Sequence, residues 1–152
     1  MANTQSMCTS FMSELMTATH NFTTGTGNTF KAALYFASAT INASTTAYSS
    51  TGEVTGTNYT AGGIVVTNGT SPLSTNSSAT AGTAYWTPTA SLVYSNVTLS
   101  TAFDAVLIYN SSASNKAVSV HTFGSQTVTA GTFTLTMPAN TTTTALIRLA
   151  TT

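Results

Sequence analysis

Apolar and polar positions recur along this chain with two different periods. Cys8, Phe11, Met12, Leu15 and Met16 follow the i, i+3, i+4, i+7, i+8 spacing of one helical face. The spacing predicts a helix over residues 6–20, with Ser6 as N-cap and Glu14 on the polar side. A helix of about a dozen residues is marginal alone. It must dock on a sheet or on another subunit, which makes Phe11 and Leu15 interface candidates. The pattern fades near His20, and residues 21–28 read as a loop containing Gly25 and Gly27.

From Phe30 the period changes to two. Phe30, Ala32, Leu34 and Phe36 point one way, and Lys31, Ala33 and Tyr35 the other. Residues 38–58 are polar, with Ile41, Tyr48 and Val54 as isolated anchors. A strand is expected over 59–67, with a bulge at Gly62-Gly63. Residues 68–82 are rich in Ser, Thr, Asn and Gly and read as an exposed loop. Strands follow at Tyr85-Trp86, 92–99, 102–109, 117–123, 127–137 and 145–149, with turns at 110–115 and near Gly124-Ser125. The clearest alternation sets Phe133, Leu135 and Met137 against Thr132, Thr134 and Thr136. Several short strands with regular turn signals, no helix between them and no repeat predict one domain over 1–152. It is an antiparallel β-sandwich or jelly roll of about eight strands with one short N-terminal helix.

Composition sharpens this picture. Apolar residues make up 41% of the 152, yet only 4% are charged, against about 25% in an average domain. Thr alone fills about a quarter of the chain, and its β-branched side chain suits a pleated, half-buried surface. Seven Phe, six Tyr and one Trp distinguish the chain from a disordered one. Formal net charge is zero, which suits a protein packed against neighbours better than a free monomer. Lys31, Lys116 and Arg148 are the only basic residues besides two histidines, too few to grip nucleic acid. No apolar run is long enough to span a bilayer as a helix. Residues 1–4 show neither a basic nor an apolar signal region, so synthesis in a cytosol is expected.

Candidate chemistry is sparse. Glu14, Glu53 and Asp104 are the acids, His20 and His121 the imidazoles, and Cys8 the sole thiol. No Gly-x-Ser-x-Gly elbow, zinc spacing or phosphate loop occurs. No catalytic, metal or cofactor residue is assigned, and the chain is read as non-enzymatic. Asp104 lies in an otherwise apolar strand, and a buried carboxylate needs a partner. An ion pair with Lys31 or Arg148, fixing strand register, is therefore expected, with an exposed Asp104 as the alternative. Tyr85 and Trp86 suggest either core packing or an interface or sugar-stacking platform.

Several segments resemble small structural proteins of tailed bacteriophages. They are Thr19-His20-Asn21-Phe22, Phe30 through Tyr35, Gly52-Glu53-Val54 and Tyr59 through Gly63, Phe103 through Asn110, Lys116-Ala117-Val118, Val128 through Phe133, and Ala145 through Arg148. The resemblance spans nearly the whole chain and is one of pattern. It implies a virion protein made in the host cytoplasm, foremost a capsid cement or decoration protein. Such a protein would contact the major capsid protein or other virion proteins, form a homo-oligomer, and bind neither nucleic acid nor membrane. A neck or tail component (adaptor, tube or fibre-base subunit) and a carbohydrate-binding adhesin module are the alternative expectations.

Overall fold

The computed structural model of the chain describes residues 2–75 and 82–151. Its elements are β1 (Ser6–Met7), α1 (Thr9–Met16), β2 (Phe30–Phe36), β3 (Ile64–Val65), β4 (Leu73–Ser74), β5 (Thr83–Trp86), β6 (Leu92–Asn110), β7 (Lys116–Leu135) and β8 (Ile147–Ala150). They form a mostly β sandwich-like fold of two antiparallel sheets, ordered β1-β7-β6-β2-β3 and β4-β5-β8.

The β6–β7 hairpin dominates the molecule. The sequence reading cuts it into four strands; the structure joins them into two strands of 19 and 20 residues. No turn forms at Gly124-Ser125, because the hairpin bends there instead of ending. Phe123 and Phe133 lie ten positions apart on β7, a separation of about 33 Å in a straight strand. Their rings nevertheless approach to 5.2 Å. Four register shifts between Tyr94 and Ala105, with left-handed backbone at Asn96 and Ala130, supply the bend, as bulges do. The far half of the hairpin therefore faces its own near half. Leu92 and Leu135, paired across the far end, line one cavity with Val106, Ile108 and His121 of the near end.

The inner side chains of this fold make the core. Phe103, Val106, Leu107 and Ile108 of β6, with Leu34 of β2 and Val118 and Val120 of β7, are almost wholly inaccessible. Phe22 stacks on Phe30 at 4.2 Å and meets Trp86 at 4.8 Å, which ties the smaller sheet to the larger.

The helix is shorter than the spacing predicts. Residues 6–7 pair with Val120 and Ser119 of β7, and the Cys8 amide donates to Val118 O, so the chain stays extended until Thr9. Ser6 is thus in a strand and Cys8 is the N-cap, without a side-chain capping bond. At the other end Ala18 adopts φ +55, Ala18 N–H donates to Leu15 O, and Thr19 N–H donates to Glu14 O. This is the Schellman closure, with alanine where glycine is usual. The expected strand over 59–67 shrinks to Ile64–Val65. Gly62 and Gly63 form a turn with φ +84 and +71, and a Cβ on Gly63 would sit 1.8 Å from Ala32 O. Within the expected 68–82 loop, Leu73–Ser74 pair with β5; residues 76–81 lie outside the described residues.

Candidate interaction surface

All three acids are engaged inside the chain. Glu14, expected on a polar helix face, turns towards β7 and the 20s loop. Its Oε2 meets His20 Nε2 at 2.8 Å and its Oε1 accepts Lys116 Nζ at 2.6 Å. Burial pushes the Glu14 carboxyl up, but hydrogen bonds and charge from Lys116 and His20 outweigh it and leave it below the ordinary value. Asn110 Nδ2 donates to Asn28 Oδ1 and lies 3.1 Å from His20 Nδ1. Nδ1 thus faces the Asn110 amide while Nε2 faces Glu14. Both ring nitrogens are thereby occupied within the fold, which leaves neither for a substrate proton.

Glu53 is 4% exposed and sits among tyrosines. It accepts Tyr48 OH at 2.6 Å, Tyr59 OH at 2.9 Å and Gly62 N–H at 2.7 Å. Tyr59 OH also accepts Leu34 N–H, and Tyr109 OH donates to Gly62 O. Burial, with the Glu53 charge nearby, pushes Tyr59 well above the ordinary phenol value and raises Tyr109 as well. These phenols are held as hydrogen-bond donors, far from serving as bases.

Asp104 does not form the expected ion pair. It accepts Asn3 Nδ2 at 2.6 Å, and Asn3 also donates to Phe36 O and accepts Ile41 N–H. An amide suffices because Asp104 is only half-buried and keeps part of its hydration. Lys31 faces Tyr109 and Val65 across β2, and Arg148, exposed on β8, donates to Thr143 O. Among the described residues the ion pairs are those of Glu14 alone.

The remaining reactive groups are quiet. Burial, with Glu14 nearby, pushes the Cys8 thiol up to about 11, so it stays protonated at neutral pH. His121 contacts Ser119 Oγ through Nε2 and lines the apolar cavity between the hairpin halves. Burial lowers its pKa to about 4. Among the described residues no three His, Cys, Asp or Glu gather to hold a metal, and no helix is long and apolar enough to cross a membrane.

The interface candidates separate. Phe11 and Trp86 are 0% and 2% exposed. The Trp86 indole N–H donates to Asn68 Oδ1 and Thr70 O, so this ring is a core member and offers no sugar-stacking face. Leu15 and Tyr85 are half-buried at the mouth of an apolar groove between α1 and the smaller sheet. Phe22, Pro72, Ile147 and Leu149 line it too. Met12 and Met16, predicted on the docking face of the helix, are instead 46% and 85% exposed, because the inward turn of Glu14 rotates them outward. Leu73 and Leu149 are also exposed near this groove.

A second surface is an edge. The outer strands β1, β3 and β4 have two residues each and β8 has four. β7 differs. Its start is covered by β1, but from His121 to Leu135 its outer side has no backbone partner among the described residues. No charged residue occurs between Lys116 and Arg148.

The Glu14 network was not visible in the sequence, since Lys116 lies far along the chain, and neither was that of Glu53, whose nearby donors converge only through the loop that the fold gives residues 48–62. The charge-free run from Ala117 to Ile147 was visible and is the signal that points to the edge. Comparisons with protein-family models, with curated proteins and with solved structures find no match.

Proposed function

We propose that the chain is a non-enzymatic structural subunit of a bacteriophage particle, foremost a cement or decoration protein that clamps the capsid by non-covalent contacts. The phage assignment rests on the pattern of segments from Thr19 to Arg148. One observation carries the structural role: each acid accepts from donors inside the fold, while the outer surface, apart from a few basic side chains such as Arg148, is hydroxyls, amides and exposed apolar side chains. Such a surface buries against a shell with little charge desolvation. The groove beside α1, lined by Leu149, together with the exposed Met12 and Met16 of α1 and Leu73 of β4, is the face proposed for the major capsid protein. Repetition over a symmetric shell converts weak single contacts into firm retention. Neck or tail placement shares the same surface logic and differs in copy number.

The test is add-back to capsids that lack the chain. Wild-type protein should bind and raise the temperature of capsid disruption. Met16→Glu with Leu73→Glu should fold normally and fail to do so. Unchanged capsid stability with saturating wild-type protein would refute the cement role.

A further inference from the structure

We infer that the Gly131–Leu135 edge of β7 pairs antiparallel with the same edge of a second copy, about a two-fold axis at Phe133. This goes beyond the virion reading and does not depend on it.

Three observations meet at this edge. The first is its unpaired backbone. Proteins usually blunt such edges with charge, proline or brevity. The other edges here are two to four residues long, but Gly131–Leu135 follows the left-handed Ala130, with Phe133–Leu135 in regular register with β6 and Gly131 paired to Val97 across one shift. It has no charge, and Pro138 falls beyond it.

The second is a contrast in burial across one strand pair. On β6 the inner row Leu92, Tyr94 and Val97 is 1–3% exposed. Leu135 and Phe133, opposite Leu92 and Tyr94 on β7, are only half-buried. The difference is that β6 has cover on its far side, through the Thr57–Thr98 bridge and Asn58 Nδ2 on Asn96 O, whereas no described backbone pairs with the outer side of this part of β7. A further strand would complete the inner row.

The third is self-complementarity. With Phe133 at the axis, Thr132 of one copy faces Thr134 of the other, and Gly131 faces Leu135. The pair then joins β-branched polar residues on the outer face and apolar ones on the inner face, with no like charges opposed. Isologous two-fold contacts have this form. A partner of another kind would be expected to leave some charge at its docking edge, and between Lys116 and Arg148 there is none.

The experiment is sedimentation velocity over a concentration series, using three forms of the full chain. Wild type should shift from monomer to dimer as concentration rises. T132K/T134K and T132E/T134E each place like charges opposite one another, and each should lose the dimer boundary. Thr132 and Thr134 are exposed, so at concentrations where wild type is monomeric both variants should keep its melting midpoint. Mixing the two variants sets Lys against Glu and should restore a dimer. Hydrogen exchange should show the outward-facing amides of 131–135, those not bonded to β6, protected in that mixture and unprotected in either variant alone. A wild type that stays monomeric overturns the proposal, as does a dimer that survives in both variants or a mixture that stays monomeric. Protection of 131–135 only on a capsid would assign the edge to another protein, and that too overturns self-pairing.

Discussion

Glu53 shows how a single buried charge is managed in a chain with so few. Its carboxylate takes two phenols and a backbone amide, and one of those phenols, Tyr59, also receives Leu34 N–H. Tyr59→Phe removes a bond to a charged acceptor and orphans a buried amide on β2. A loss of about 2–3 kcal/mol is expected, read as a lower urea midpoint at unchanged slope. His121 carries the clearest pH signature. Its pKa is lowered by burial, from 6.5 to about 4. As pH falls through 6.5, the unfolded chain takes up a proton that the folded chain refuses. Stability is therefore full above about pH 6.5, declines towards pH 4 and levels off below, by up to about 3 kcal/mol. Denaturant melts between pH 6.5 and 5 avoid most of the Glu14 titration, which acts in the same direction at lower pH. Over that window His121→Gln should show a flatter slope than wild type.

Among the elements, local pattern and long-range geometry diverge in an instructive way. The alternation of Phe133 and Leu135 with Thr132 and Thr134 survives as half-buried and exposed rows of β7, because a two-residue period is a property of the strand itself. The number of strands was not legible in the same way. Ser100 and Gly124 look like breaks, but bulges let one hairpin bend without ending, and a bulge is decided by the partner strand. Helix α1 was legible in its Phe11 and Cys8 contacts. Its rotation was not, since that depends on Glu14 finding Lys116, 102 residues away. Asp104 was rightly singled out as a carboxylate in need of a partner, while the partner itself, Asn3, is 101 residues distant. The helix also has an unused gain in stability. Ala18 sits at φ +55 in the closing turn and is exposed, a conformation that costs an L-residue about 1–2 kcal/mol. Ala18→Gly relieves this against a smaller entropic penalty. A net gain of about 0.5–1 kcal/mol is expected in thermal or denaturant melts.

For the molecule as a whole, the distribution of charge separates inside from outside. Six acidic and basic side chains serve 152 residues, and all three acids hold donors inside the fold, from Lys116 and Asn3 across the chain for Glu14 and Asp104 and from nearby residues for Glu53. What remains outside is a Thr-rich surface with an apolar groove beside α1 and one long open edge. It is on these two surfaces that the proposed adhesive role rests. The fold class follows from the sequence pattern, but the groove and the edge required the fold, because one depends on how α1 meets the smaller sheet and the other on where the bent hairpin lacks a partner. The most direct test of this account is the number of copies per purified phage particle, counted by quantitative mass spectrometry against the major capsid protein. A stoichiometry near one copy per capsid protein is expected for a cement protein. Complete absence from the particle, with the chain left in the lysate, would contradict the account.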